Sequence, residues 1–311
     1  MRLLRGLYTI PSGFRGCVAT IGNFDGLHLG HQAILAALNQ SAHETGLPTL
    51  VMLFEPQPKE FFAPLQAPPR LASLREKLLD LQDAGVDYVL CLPFDQRLRS
   101  MTAEAFIQQI LVDALNVRHL IVGDDFRFGC DRRGDFRALS EAGKTHGFDV
   151  EDTPTYELSG ERVSSTRVRG ELSTAHLDNV AELMGRPYRM NGRVVRGRQL
   201  GRTINTPTAN VRINRRYLPL EGVFVVRAEV QETNQVLSGV ANLGMKPSVS
   251  SQPEPSLEVH LFDYSGNLYG QHLDVTFLSR LREEKRFDSI EELKVAIEQD
   301  KNDARAWLAR G

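Results

Sequence analysis

The hydrophobic rhythm of the chain changes partway along. Up to about residue 185, short continuous apolar runs alternate with segments whose apolar residues recur at helical spacing. The runs are Cys17–Ile21, Thr49–Phe54, Val86–Cys91 and His119–Val122. Continuous apolar runs of this length read as strands buried on both faces. Between them, Ala33–Leu38, Leu74–Ala84 (with Leu74, Leu78 and Leu81) and Ala103–Leu115 (with Ala105, Phe106, Ile110 and Leu111) read as helices. Strand–helix alternation predicts a doubly wound parallel sheet covered on both faces. In such sheets ligands bind beyond the carboxyl ends of the strands. Three turns follow predicted strands and are expected on that one edge: Gly22–His31, Pro56–Pro58 and Asp124–Asp125.

After Gly185-Arg186-Pro187 the pattern becomes short β-branched segments separated by turns: Val223–Val226, Val236–Val240, Leu257–Phe262 and Leu273–Leu278. That spacing predicts a small antiparallel β-barrel with terminal helices. Ser289 and Glu292 fit a capping box, with Ile290, Leu293 and Ile297 as the buried stripe. A final short helix carries Ala304, Trp307 and Leu308. Pro68-Pro69 and Pro247–Pro255 read as mobile loops. The expected domains are 1–185 and 186–311, α/β followed by β.

Composition narrows this picture little. With 37 Lys and Arg against 39 Asp and Glu, the formal charge of −2 gives no electrostatic reason for nucleic-acid binding. No apolar run is long enough to span a bilayer, and the first residues do not resemble a signal peptide, so cytoplasm is the expectation. Cys17, Cys91 and Cys130 form no CxxC pair and read as buried or free thiols. Nothing in the sequence signals an oligomeric state.

The most chemical stretch is Gly22-Asn23-Phe24-Asp25-Gly26-Leu27-His28-Leu29-Gly30-His31, between a buried strand and a helix start. Glycines allow close backbone approach, and a helix N-terminus favours phosphate. His28 and His31 have a spacing that permits metal ligation, but no third ligand cluster accompanies them. A plain helix start is the bland alternative. A second polar cluster, Arg162-Val163-Ser164-Ser165-Thr166-Arg167-Val168-Arg169, combines hydroxyls and guanidinium groups that suit phosphate oxygens. Ser164 or Ser165 equally fits as the cap of a helix over Thr166–Ser173.

A second candidate site lies in the other half. Gly197 and Gly201 flank basic residues, where backbone could wrap an anion. Thr208 and Asn210 are neutral oxygen donors on one side of an extended chain, suited to Mg²⁺ together with substrate phosphates, or simply a turn beside Pro207. On a strand, Glu258, His260, Phe262 and Tyr264 share one face and Val259 and Leu261 the other. Glu258 fits either a general base or an exposed edge charge.

Neither a P-loop nor a dinucleotide fingerprint is present. His28-Leu29-Gly30-His31 is HxGH, and Ser164–Arg169 fits SSTxxR; together they resemble the nucleotidyltransferase superfamily. With Phe54-Glu55-Pro56-Gln57-Pro58 and Val122–Gly129 added, the chain resembles the bacterial bifunctional riboflavin kinase/FAD synthetases. The resemblance implies a nucleotidyltransferase-type sheet that transfers adenylate from ATP to FMN, giving FAD and pyrophosphate with no covalent intermediate. It implies His28 and His31 at the α-phosphate, and Arg162, Ser164, Ser165, Thr166 and Arg169 on the triphosphate. Gly22, Asn23 and Gly26 fall on the nucleotide side, and Pro56, Pro58, Asp124, Asp125 and Phe126 on the flavin side.

Gly201-Arg202, Pro207–Asn210, Gly222–Phe224, Asn242–Gly244, Glu258–Tyr264 and Leu281–Phe287 resemble the flavokinase domain, a small barrel. That implies Gly201, Thr208 and Asn210 on the nucleotide, Thr208 and Asn210 on Mg²⁺, and Glu258 as base toward the ribityl 5′-hydroxyl of riboflavin. One departure stands out: the family has Gly-Phe before Pro-Thr-Ala-Asn, and this chain has Asn205-Thr206. The expected partners are ATP, riboflavin and FMN, with no nucleic acid and no membrane.

Overall fold

The computed structural model describes residues 1–197, 207–246 and 254–310. By contacts the chain divides into two compact units. One comprises Met1–Pro68 and Lys77–Ser164, the other Pro69–Glu76 and Ser165–Gly311.

The first unit is built on a six-stranded sheet, β1 (Arg2–Arg5), β2 (Cys17–Ile21), β3 (Thr49–Glu55), β4 (Tyr88–Pro93), β5 (Val117–Gly123) and β6 (Asp149–Thr153), in the order β1-β4-β3-β2-β5-β6. Every pairing is parallel. A separate antiparallel pair, β7 (Glu157–Leu158) and β8 (Glu161–Arg162), follows β6. All five residues of β2 are buried, as its apolar run requires at the centre of a covered sheet. The edge strands β1 and β6 have no continuous apolar run, which is why pattern alone misses them: β6 reads Asp-Val-Glu-Asp-Thr and is largely exposed. The chain runs from β2 to β3 and β4 on one side, then returns to β5 on the other. This reversal places a crevice beyond the carboxyl ends of β2 and β5.

Helices α1 (Leu29–Thr45), α2 (Pro58–Phe62), α3 (Leu74–Asp83), α4 (Gln96–Arg99), α5 (Ala103–Phe106) and α6 (Phe136–His146) connect the strands. The predicted helix 103–115 begins as α5 and continues as a π-helix, Ile107–Ala114. Phe106, Ile107, Ile110 and Leu111 pack into the core under the sheet. Cys17 is buried, and desolvation pushes its thiol up to about 12; Cys91 and Cys130 are also free thiols.

In the second unit, α7 (Ser165–Ser173) and α8 (Leu177–Met184) precede the closed barrel. Its strands are β9 (Arg189–Val195), β10 (Ala209–Arg212), β11 (Gly222–Val230), β12 (Gln235–Lys246), β13 (Glu254–Leu261) and β14 (His272–Arg282), ordered β10-β13-β12-β11-β14-β9 and closed by β9 on β10. β9 and β10 escape the sequence pattern because Gly192 and the polar ends of both strands blur the alternation. Gly192 is needed there: a Cβ would overlap the Arg212 carbonyl on the neighbouring strand.

The carboxy-terminal helices are one helix, α9 (Ile290–Leu308). Ser289 caps it, its Oγ accepting from Glu292 N at 3.1 Å, while Glu292 reaches back to Asp288 N rather than to the cap residue. The predicted apolar stripe is not buried: Ile290 is 61% exposed, and the buried positions are Asp300 and Ala304. Its apolar contact is nearer its C-terminal end, where Ala304 and Leu308 pack with Val223, Val225 and Val240, and polar pairs add to it. Arg282 donates twice to Asp300 at 2.8 Å, and Arg305 pairs with Asp263 and stacks over Phe262.

Pro69, expected with Pro68 in a mobile loop, instead begins a packed segment, Pro69–Glu76. Arg169 donates to the Pro69 carbonyl at 2.6 Å, and Arg215 and the Tyr188 hydroxyl both donate to the Leu71 carbonyl at 2.9 Å. Buried Glu76 receives Arg215 Nη2 and Asn191 N, both at 2.6 Å. Guanidinium groups thus take up backbone carbonyls that a proline-rich turn leaves without ladder partners.

Candidate active sites

The three turns do share the carboxyl edge of the sheet, each directly following β2, β3 or β5. The first turn is strained. Phe24 (φ 44°), Gly26 (φ 89°) and Leu27 (φ 44°) all have positive φ within four residues. Two of these are not glycine, and such outliers persist only where the surroundings hold them, often at ligand sites. Here Phe24, Asp25, Leu27 and His28 are all buried, so packing holds the turn; Asn23 at its tip is exposed.

His28 is the N-cap of α1: its Nδ1 accepts from His31 N at 3.4 Å. That leaves Nε2 as the donor nitrogen of the neutral ring. The His28 and His31 rings stack, 3.7 Å between centroids and 18° between planes, and Phe24 lies 5.0 Å from His31. Gly30 makes this fold-back possible, since a Cβ there would stand 3.2 Å from His28 Nδ1 and 3.4 Å from the Val163 carbonyl. The same contact places Val163, at the start of the serine-rich element, against the first turn of α1. His31 titrates well below its ordinary value because burial disfavours its charge, with repulsion from His28 and from Lys77 adding to it. A His31 imidazole held neutral by burial therefore stands at the N-terminal end of a helix dipole, a setting that favours an incoming anion.

Buried polar atoms with no hydrogen-bond partner occur on these elements: Thr20 Oγ1 on β2, His31 Nδ1 on α1 and Gln57 Nε2 after β3. Gln57 lies between Pro56 and Pro58, and in the sequence those prolines mark only a turn. Its backbone N–H donates to Glu60 Oε2 at 2.9 Å, fixing the start of α2. Buried orphans of this kind normally meet a partner. Beside this turn, Phe54, Phe61, Phe62 and Phe94 form an edge-to-face cluster. Phe126 stacks on Phe128, 5.6 Å apart.

Arg162 is found with the residues expected on the flavin side. It donates to Asp125 at 2.9 Å and lies 3.7 Å from Asp124, which Thr155 also holds at 2.6 Å. Ser164 ends the first compact unit, while Ser165, Thr166 and Arg169 belong to α7 of the second.

In the barrel, Thr208 and Asn210 line a cavity of about 710 Å³ together with Arg196, Tyr264 and Tyr269. Arg196 lies over the Tyr269 ring at 5.8 Å. Gly197 gives the backbone access here, because a Cβ would overlap the Asn210 amide. Gly201, Asn205 and Thr206 lie outside the described residues. His260 donates from Nδ1 to the Pro207 carbonyl at 2.9 Å, pinning the chain ahead of Thr208. Burial holds His260 below its ordinary pKa.

Asn210, Glu258 and Asn242 are cross-strand partners in one row over β10, β13 and β12. Side chains at paired positions share a face, so the row sets a carboxylate between two amides. Glu258 itself forms an ion pair with Lys246. Asn242 Nδ2 donates to Glu284 at 2.9 Å, and the Glu284 carboxylate occupies the space that a Cβ at Gly244 would fill. The predicted face-sharing holds from Glu258 to His260. The strand then ends at Leu261, and Phe262 is buried in the following turn, so Phe262 and Tyr264 do not extend the row.

No described cluster of His, Cys, Asp and Glu is fit to hold a metal. No helix among the described residues is long and apolar enough to cross a membrane.

The FAD synthetase family model matches residues 11–167 and the riboflavin kinase model residues 184–308. The bifunctional riboflavin kinase/FMN adenylyltransferase of Pseudomonas fluorescens is 53% identical over 99% of this chain and 98% of its own. Its namesake in Escherichia coli K12 is 47% identical over 99% and 98%, and that of Haemophilus influenzae 45% over 99% of both. A solved structure described as a macrolide-efflux protein from Streptococcus pneumoniae superposes with a TM-score of 0.80 at 28% identity, covering 98% of this chain and 99% of that one. Two domain models in the order of the two folds, and full-length relatives at about half identity, lead to one conclusion: this chain belongs to the bifunctional riboflavin kinase/FMN adenylyltransferase family.

Proposed function

We propose that the two activities of this enzyme run on separate residue sets, adenylyl transfer at the sheet edge and phosphorylation on the barrel. The chain is a riboflavin kinase and FMN adenylyltransferase, with ATP, riboflavin and FMN as substrates. The functional division falls near Gly185–Pro187, close to where the riboflavin kinase match begins. Three free cysteines suit a reducing cytoplasm.

In the first site His28 and His31 bind the α-phosphate of ATP and stabilise the charge that develops as the FMN phosphate attacks it. Adenylyl transfer needs positioning and charge stabilisation more than a nucleophile. Gly22, Asn23 and Gly26 shape the nucleotide side. Arg162, Ser164, Ser165, Thr166 and Arg169 hold the triphosphate, Arg162 exchanging Asp125 for phosphate oxygen. Pro56, Pro58, Asp124, Asp125 and Phe126 line the flavin side, where Gln57 Nε2 supplies a donor. The stacked histidine pair at a helix N-terminus carries this reading.

In the second site Glu258 takes the proton from the riboflavin 5′-hydroxyl. Thr208 and Asn210 would hold Mg²⁺, which supplies charge neutralisation for the phosphates, and Gly201 belongs to the same nucleotide loop. The in-register row Asn210–Glu258–Asn242 carries this reading, since it sets the base beside a metal ligand. The test is chromatography of flavins after incubating Glu258→Gln and His28→Ala with ATP and Mg²⁺. Each variant is expected to lose one activity and keep the other. Parallel loss of both in either variant refutes separate sites.

A further inference from the structure

Glu258 does not stand alone. Lys246, at the end of β12, sets its ammonium against Glu258 Oε1. Asn242, Gly244 and Lys246 share a face with Glu254, Ser256 and Glu258, their cross-strand partners. Lys246 pairs across the ladder with Glu254, yet its side chain turns back along the sheet toward Glu258. Both partners are partly open to solvent, 41% and 27% by side chain, and such pairs add little to stability. The position of the pair is more informative than its strength.

A general base must lie within about 3 Å of the hydroxyl it deprotonates. That oxygen must lie within about 3.5 Å of the phosphorus it attacks. A cation touching the base is therefore within roughly two such contacts of the transferring phosphoryl group. Lysine is a compact charge on a flexible stem, able to shift between neighbouring anions without rebuilding its surroundings. The same face carries a further carboxylate, Glu284, held over Gly244 by Asn242. A polyphosphate approaching two carboxylates meets repulsion that a mobile ammonium relieves.

We propose that Lys246 is a further catalytic residue of riboflavin phosphorylation, resting on Glu258 until ATP is bound and then bonding the transferring phosphoryl oxygens. The inference rests on reading Glu258 as the base. In the step itself the hydroxyl proton passes to Glu258 and the hydroxyl oxygen bonds to phosphorus. The bond from phosphorus to the bridging oxygen breaks, and ADP leaves. Lys246 keeps its proton throughout.

The experiment is steady-state FMN formation from riboflavin by Lys246→Met, Lys246→Arg and Glu258→Gln, with FAD formation from supplied FMN measured on the same preparations. Loss of one well-placed donor to a developing anion lowers kcat by about 100-fold or more. Lys246→Met is expected to lose kcat on that scale, with KM for riboflavin within about 3-fold and FAD formation unchanged; Lys246→Arg is expected to recover most of the loss. An unchanged or raised kcat in Lys246→Met overturns the proposal, because the lysine then only restrains the base. Equal losses in Lys246→Met and Lys246→Arg with a lowered Tm also overturn it, in favour of packing. If Glu258→Gln still makes FMN, the reading of the base fails and the lysine proposal falls with it. If Glu258→Gln is inactive and Lys246→Met is normal, only the lysine proposal fails.

Discussion

The two sites are assembled in opposite ways. At the sheet edge the histidines proposed for the α-phosphate lie in one stretch of ten residues, Gly22 to His31, and its geometry comes from local strain: three positive φ values, a histidine cap and a glycine that lets two rings stack. On the barrel no single stretch holds the site. Asn210, Glu258 and Asn242 meet only because three strands align in register. A helix-terminus site is thus sensitive to backbone freedom at single positions. A sheet-face site is sensitive to register, which the closed barrel protects by leaving no free edge.

The sharpest way to break this comparison is Glu258→Gln. It is expected to cut FMN formation by about 100-fold to 10,000-fold, the range for losing a general base, while FAD formation from FMN continues. His28→Ala should do the converse and lower FAD formation by roughly 100-fold or more, about 3–4 kcal/mol of transition-state stabilisation, with FMN formation intact. Near-normal FAD formation in that variant removes the histidine pair from the chemistry.

Backbone-specific variants sharpen the contrast. Gly30→Ala adds only a methyl group, but it lands against the His28 ring. We expect about a 10-fold loss of FAD formation without unfolding, comparable to displacing a ring by a few tenths of an ångström. Gly197→Ala presses on the Asn210 amide and should raise KM for ATP in FMN formation more than it lowers kcat. A change confined to kcat would place Gly197 elsewhere in the reaction.

The smallest effect is in acid. His31 has a folded pKa below its ordinary 6.5, so between the two values the unfolded chain binds more protons. Stability is therefore full above about pH 6.5 and declines as pH falls below it. Thermal denaturation at pH 7 and pH 5.5 should show a fall in Tm that is smaller in His31→Gln. An equal fall in both would show that His31 is not a source of it.

Legibility followed the same divide. The central strands and the turn after β2 were readable because a covered parallel sheet demands continuous apolar runs and its active edge demands glycines. Edge strands β1 and β6 were not readable, since one open side relaxes the demand for apolar residues. In the barrel unit the sequence pattern does not show β9 and β10, and it divides α9 in two; Ala304 and Leu308 do pack inward, but the stripe Ile290, Leu293 and Ile297 is not buried. Buried Asp300 takes Arg282, and charged residues on a helix look like a solvent face when only sequence is visible. Gln57 and Lys246 were invisible for a related reason: what distinguishes them is an unpaired buried atom and a cross-strand ion pair, neither of which has a sequence period.

The Pro69–Glu76 segment bears on how this enzyme can be dissected. By sequence it lies inside the region matched by the FAD synthetase model, yet it packs with the barrel unit, where Glu76 neutralises Arg215. A fragment begun at residue 184 would carry the whole riboflavin kinase match and leave Glu76 behind. Removing one partner of a buried pair costs about 3–5 kcal/mol, a large share of the roughly 5–15 kcal/mol that holds a typical domain folded. The boundary of the two domain matches is therefore not the boundary of the packed unit, and a fragment begun at residue 184 is expected to melt below one that keeps Pro69–Glu76.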